Sequence, residues 1–332
     1  MAEWLYEDGI GERRAALVDG GALLAMRVER DGDGVVAGAR LHARLNPREG
    51  SGQWRSVTLP SGEEAMLRAV PPGLSDGGTL LVEVTRSAIA EAGLIKRAMV
   101  RVAEPGARPM PAPSLFERIS DSGTAVRTIA PHQPDALEAA GWSEWIEAAA
   151  TGHIPFAVGL LRMSLTPAMT VFDVDGDAPP FDLAKAAVAA MARCIVLLDI
   201  GGSIVIDLPT LADKAQRVAV AEAFDAAMPP PFERTAVNGY GLLQVIRPRT
   251  GPSMAERWQF QPVESAALSL LRAAERQGAS RPGQPLTLVA NPAVVRWIEQ
   301  KEELLDRLTR SSAATVHLRA ETDRAIAAGH VC

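Results

Sequence analysis

Two short strand-like runs carry the residues best suited to chemistry. Thr170-Val-Phe-Asp-Val-Asp-Gly-Asp177 sets Asp173 and Asp175 two positions apart, and Gly201-Gly-Ser-Ile-Val-Ile-Asp207 ends in a third carboxylate. Alternation along a strand puts Asp173 and Asp175 on one side, at the carboxyl end of the strand, where α/β sheets usually hold their ligands. Carboxylates that share a face repel each other unless a cation sits between them. If the two strands are neighbours, Asp207 joins Asp173 and Asp175 in an oxygen-rich cluster. Such a cluster suits Mg²⁺ or Mn²⁺, which take few carboxylates together with water and phosphate. An ion of that kind activates water and stabilises charge on a phosphodiester. The plainer role for any one of these residues is a turn former or helix cap.

The surrounding periodicities predict the elements that position them. Residues 13–104 read as β-rich. Arg14–Val18 and Ala22–Val28 flank the hairpin signal Asp19-Gly20-Gly21. Short runs follow at Val35–Leu45, Trp54–Leu59, Ala65–Ala69, Leu80–Thr85 and Ala98–Val102, a spacing that suggests a small barrel. The proline-rich stretch 104–114 suits neither helix nor sheet interior and reads as a connection. Asp135–Ala150 fits an amphipathic helix capped by Asp135. Strands at Val158–Leu165 and Met169–Val174, a helix at Phe181–Leu198, the strand Ser203–Leu208, a helix at Leu211–Met228 and strands at Thr235–Val237 and Leu242–Arg247 follow. The tail is expected as helix 265–277, strand Leu286–Ala290, helix Pro292–Ser311 and strand Thr315–Leu318. The fold class is therefore α+β or α/β with a mixed sheet.

Composition limits the partners. The chain has 332 residues, 47% hydrophobic and 22% charged, with a net charge of −6. Its overall field repels polyanions, so a nucleic acid would have to be met by a local basic patch. Lys96, Lys185, Lys214 and Lys301 are the only lysines. The arginine bias suits phosphate, and a GC-rich genome produces the same bias. Cys194 and Cys332 are too few for a disulfide framework or a four-ligand zinc site, so no structural zinc is expected. Cys194 lies in an apolar run and reads as core. No secretory leader and no apolar run long enough for a membrane span is seen, which makes a cytoplasmic protein with no membrane partner the expectation. The five histidines are scattered without metal-ligand spacing, and Trp142, Trp145 and Trp297 sit at helical spacing among apolar neighbours, as core residues do.

Taken in order, the motifs resemble the catalytic region of the ribonuclease E/G family. The run Leu165–Gly176 resembles that family's Asp-x-Asn strand, Gly201–Leu208 its second strand ending in Asp, and Gly239-Tyr-Gly-Leu-Leu-Gln-Val-Ile-Arg-Pro-Arg249 its Gly-Leu-x-x-x-x-Arg element. Val126-Arg-Thr128 is similar to the element that binds the monophosphorylated 5′ end of RNA. The resemblance implies five parts. Residues 1–34 are N-terminal strands of an RNase H-like region, 35–104 an S1-like (OB) barrel, and 105–155 a linker with the 5′ sensor. Residues 156–255 form a DNase I-like catalytic region and 256–332 a small α/β tail. It implies a Mg²⁺-dependent endoribonuclease (Mn²⁺ as substitute) acting on single-stranded RNA. Asp173 and Asp207 would be metal ligands, Asp175 would stand in the place of Asn, and Lys96 and Arg234 would contact the scissile phosphodiester. Arg127 and Thr128 would bind the 5′ phosphate, with Arg247 and Arg249 touching RNA. The family's Cys-Pro-x-Cys element is absent, so no zinc-linked dimer is expected, and the interval from Arg127 to Asp173 is short. Two alternatives stay open: a non-catalytic RNA-binding relative, and a phosphatase, since Phe172-Asp-Val-Asp-Gly176 also resembles the first motif of the haloacid dehalogenase family.

Overall fold

The computed structural model describes residues 1–48 and 52–332. β1 (Glu3–Asp8), β2 (Glu12–Asp19) and β3 (Ala22–Arg30) make an antiparallel meander. β1 was not among the expected strands. β2 turns into β3 through Gly20 and Gly21 at φ of 57° and 81°, the left-handed pair whose twist matches that of the strands it joins.

Five strands then close into a barrel: β4 (Arg40–Leu45), β5 (Arg55–Thr58), β6 (Glu64–Leu67), β7 (Thr79–Arg86) and, after the hairpin β8 (Ile89–Glu91) and β9 (Leu94–Lys96), β10 (Ala98–Val102). The order around the barrel is β10-β6-β5-β4-β7, with β6 and β10 parallel and the other pairs antiparallel. Alternate residues point inward, and Ala43, Leu45, Val57, Ala65, Leu67, Val82, Val84, Ala98 and Val100 fill the interior. Small and branched side chains suit so narrow a barrel.

Ser114 opens α1 (Leu115–Ser120) with a reciprocal cap to Glu117. β11 (Ala125–Thr128) then returns to pair in parallel with β1. The barrel is thus inserted between two strands of one sheet, whose order is β11-β1-β2-β3. Asp135 does act as a cap, accepting the Glu138 amide at 3.0 Å. The expected single helix is nevertheless two, α2 (Ala136–Ala139) and α3 (Trp142–Thr151), because Gly141 between them is left-handed at φ 96°.

The second large sheet holds β12 (His153–Phe156), β13 (Gly159–Leu165) and β14 (Thr170–Asp175). α4 (Pro180–Leu197) leads to β15 (Gly202–Asp207), and α5 (Lys214–Ala227) leads to β16 (Glu233–Arg234) and β17 (Leu242–Arg247). Its order is β12-β13-β14-β15-β17-β16, and β14–β15 is the one parallel pair, as the α4 crossover requires. The last hairpin pairs at Glu233–Arg234 rather than at the expected 235–237. α4 packs against β3 on one side and β12–β14 on the other. That position between two sheets explains its wide buried face, from Leu183 to Leu197, which leaves Asp182, Lys185, Ala189 and Arg193 as an exposed stripe. Cys194 lies wholly inside, and burial pushes its thiol up to about 12.

α6 (Met254–Phe260) and α7 (Pro262–Ser280) lead into the tail: β18 (Leu286–Ala290), α8 (Pro292–Glu299), α9 (Glu302–Ser312), β19 (Val316–Ala320) and β20 (His330–Val331). α6 and β20 were not expected, and the expected helix 292–311 breaks at Gln300-Lys301. The tail has its own core, with Leu271, Leu288, Val294, Ile298 and Leu308 at its centre. The whole is a mixed α+β protein with a closed barrel and several sheets. None of its helices is long and apolar enough to cross a membrane among the described residues.

α7 is fastened to the N-terminal sheet by buried charge. Glu7, hardly exposed, is shared by Arg14, Arg272 and Arg276, while Glu12 is shared by Arg30 (2.9 Å) and Arg272. Arg14 also reaches Asp135 at 2.5 Å, and Arg257 of α6 grips both oxygens of Asp33. Arg14 and Arg30 lie over the rings of Trp142 and Trp258, contacts that favour a desolvated guanidinium.

Candidate active site

β14 and β15 run parallel in a register that sets Asp173 directly beside Asp207. Thr170, Phe172, Ile204 and Ile206 of the same strands are buried, the last three in the core beneath α4. Strand alternation therefore turns Asp173 and Asp207 to the opposite, open face of the sheet, where both are exposed. Neighbouring strands lie about 4.8 Å apart. Among the described residues Asp173 Oδ1 accepts only the next amide, Val174 N–H, at 3.0 Å. The Asp207 carboxylate has no partner among the described residues. Two carboxylates thus face solvent side by side with oxygens to spare.

Asp175 stands apart from them. Arg162 of β13 places Nε 2.6 Å from Asp175 Oδ2 as an ion pair. The approach lacks hydrogen-bond alignment, so this shielded oxygen has no donor among the described residues. Among the described residues no three His, Cys, Asp or Glu side chains come together as a metal-ligand group. The expected trio of carboxylates is therefore a pair, Asp173 and Asp207, because Arg162 supplies the counter-charge that Asp175 needs. The donor set still fits Mg²⁺ or Mn²⁺, which bind through one or two carboxylates with the remaining positions left to water and substrate phosphate. It offers neither the imidazoles nor the thiolates that zinc prefers.

A test follows from the repulsion alone. Without divalent ions, Asp207→Asn is expected to raise the melting temperature slightly, by less than about 1 kcal/mol of stability, the ceiling for exposed charge pairs. Added Mg²⁺ should raise the melting temperature of the parent chain with the logarithm of its concentration above Kd and leave that of Asp207→Asn unmoved. Equal Mg²⁺ responses in both chains would exclude the pair as the ion's seat.

The other residues singled out from the sequence fall elsewhere. Arg234 on β16 is the register partner of Val245, which is buried. Its side chain thus lies on the helix side of the sheet, where it forks onto Asp225 of α5 and holds that carboxyl below its usual range. Arg247 sits opposite Gly202, at the other end of β15 from Asp207, and donates to Asp199 and the Ile200 carbonyl. Arg249 neighbours the same end and pairs with Glu256. Five residues of strand, roughly 17 Å, separate this end from Asp207. Lys96 on the barrel's inserted hairpin pairs with Glu91 and donates to the Pro167 carbonyl at 2.5 Å, which joins the barrel to the β13–β14 turn. Arg127 and Thr128 lie on the edge strand β11. Both bonds of the Arg127 fork go to Glu3, at 3.0 and 3.2 Å, and hold that carboxyl below its ordinary value.

Two further residues stand near the pair. Arg162 is the register partner of Asp173 on β13. Nothing local marks it, since only strand pairing brings it there. Tyr240 stands in the turn that enters β17 two residues before Leu242, the register partner of Asp207, and is 84% exposed. A signal for it was present: an aromatic residue flanked by two glycines. A cleft of about 690 Å³ lies away from Asp173, Asp207, Arg162 and Tyr240, between β3, β7, β10 and α1. Its charged walls are already matched, Arg118 to Glu29, Arg101 to Glu83 and Arg27 to Asp199. Its volume alone does not make it the reactive site, whereas the unmatched charge is on the sheet. No protein-family model matches the chain, and no curated protein matches it in sequence.

Proposed function

We propose that the protein is a Mg²⁺-dependent endoribonuclease of the ribonuclease E/G type, hydrolysing phosphodiester bonds in single-stranded RNA. The observation that carries the reading is the in-register pair Asp173–Asp207 on the open face of the second sheet. Supporting it is the closed five-stranded barrel inserted between β3 and β11, which accords with an OB-type S1 barrel. Such barrels hold oligonucleotides on one face and in the loops beside it. The hairpin β8–β9 lies between the last two barrel strands and rests on the β13–β14 turn through Lys96. That contact meets the second sheet at the amino end of β14, while Asp173 lies towards its carboxyl end.

Asp173 and Asp207 would hold the ion, which when bound activates water and offsets charge on phosphorus. The protein's own part is then positional. β14 and β15 fix the two carboxylates through a buried core, and Arg162 neutralises Asp175, which leaves Asp173 and Asp207 as adjacent unpaired carboxylates on the open face. A terminal phosphate at Arg127 would have to displace Glu3 from both guanidinium bonds. The proposal therefore rests on the carboxylate pair and not on sensing of the 5′ end.

Incubation with a 5′-monophosphorylated single-stranded RNA and Mg²⁺ is expected to yield fragments bearing new 5′ phosphates. EDTA should stop the reaction, and rising salt should weaken it, since affinity for a polyanion rests on counterion release. RNA left intact across a range of salt and metal would overturn the nuclease reading. Salt-sensitive binding without cleavage would point to a non-catalytic RNA-binding relative.

A further inference from the structure

We propose that Tyr240 is the stacking platform for one base of the RNA strand, beside the phosphodiester presented to Asp173 and Asp207. The inference rests on the nuclease reading above and adds to it a base-binding position.

The turn that carries Tyr240 is built as a rigid mount. Asn238 Oδ1 accepts the amides of both Tyr240 and Leu242, at 2.9 and 3.0 Å, and the Asn238 amide donates to the Leu242 carbonyl. Gly241, at φ 92°, lies so close to β15's exit that a Cβ would fall 2.2 Å from the Leu208 carbonyl, and its own carbonyl accepts the Leu208 amide. The turn is thus fastened to the residue that follows Asp207. Yet the ring it presents touches no other ring and makes no hydrogen bond among the described residues, and it is 84% exposed. The backbone is fixed while the side chain is left free in solvent. That arrangement serves a ligand rather than the core.

Position completes the case. Leu242 is opposite Asp207 in register, so Tyr240 stands within about 7 Å of chain of that pairing. One nucleotide along a single strand spans a similar distance. Leu242 and Ile246 continue from Tyr240 along the open face of β17 and are partly exposed, with Gln244 between them donating to Ser203. Beside two acidic groups, a neutral aromatic face attracts a base without adding charge, and stacking accepts any base because each has a π face. In a chain of net charge −6, affinity supplied by stacking does not depend on a basic groove.

The test is fluorescence anisotropy in EDTA with a labelled single-stranded 12-mer RNA, using the full chain in a non-cleaving Asp173→Asn/Asp207→Asn form. Tyr240→Ala is expected to raise Kd about 5- to 150-fold and Tyr240→Phe to leave it within about twofold. Melting temperatures should not change, since the ring is in solvent. A series of 12-mers with one abasic nucleotide moved along the chain should contain one position that weakens binding to Tyr240 but adds nothing to the loss in Tyr240→Ala. If the parent form binds RNA and Tyr240→Ala binds it equally well, the stacking role is overturned and the nuclease reading stands. If the parent form binds no RNA, both fall together.

Discussion

Replacing Glu7 by Gln is expected to lower the unfolding free energy by about 3–5 kcal/mol, the cost of breaking a buried ion pair from one side. The choice of residue follows from the charge balance. Among the groups in direct ion pairs, Arg14, Arg30, Arg257, Arg272 and Arg276 face Glu7, Glu12, Asp33 and Asp135, so guanidinium groups already outnumber carboxylates by one. Removing an arginine brings the cluster to balance. Removing Glu7 instead strips a shared acceptor from Arg14, Arg272 and Arg276 and leaves buried positive charge without compensation. Urea unfolding of Glu7→Gln beside Arg276→Gln, whose side chain is at the rim, measures the difference. A loss below about 1 kcal/mol for Glu7→Gln would show that the cluster does not hold the sheet and α7 together. The same cluster makes the fold acid-sensitive. Burial raises the Glu12 carboxyl, but Arg272 and Arg30 outweigh it, and Arg14 does the same for Asp135, so both end below their ordinary values. Their contribution is complete above the usual carboxylate range, near pH 4, and is lost as pH falls through the lower folded-state values.

Asp173→Asn and Asp207→Asn are each expected to reduce RNA cleavage by about 10²- to 10³-fold or more, the kinetic equivalent of several kcal/mol of charge stabilisation at phosphorus. Because the two carboxylates would hold one ion, the double variant should be little slower than either single one; groups that act as a unit do not add. RNA binding in EDTA should move the other way and tighten, since each substitution removes a negative charge from the face that meets a polyanion. Asp175→Asn is expected to slow cleavage much less, because its charge is already matched by Arg162. Independent, multiplicative losses at Asp173 and Asp207, or unchanged rates, would exclude a shared ion.

Several features were legible in the residues themselves. The hairpin at Gly20-Gly21, the cap at Asp135 and the buried place of Cys194 follow from local rules on positive φ, side-chain acceptors and apolar runs. Strands 98–102, 242–247 and 286–290 lie where alternation put them. The missed pieces have separate causes. β1 shows no clean alternation, because Trp4, Leu5, Tyr6 and Glu7 are all buried, with α1 covering one face of the sheet and α3 and α4 the other. α2 and α3 read as one helix in the sequence because a glycine inside an apolar pattern does not announce that it will be left-handed.

The sequence by itself determined which residues are candidates: two strands, each with an aspartate at its carboxyl end, in a chain with only two cysteines and scattered histidines. Short-range periodicity is enough for that, since the side-chain pattern of a strand is set by its own backbone. Only the tertiary structure decided which aspartates belong together. Strand order and register made Asp173 and Asp207 neighbours, gave Asp175 to Arg162, and turned Arg234 to the other side of the sheet. Those outcomes depend on partners distant in the chain, chosen by burial of Phe172, Ile204 and Ile206 beneath α4, and no local pattern encodes them.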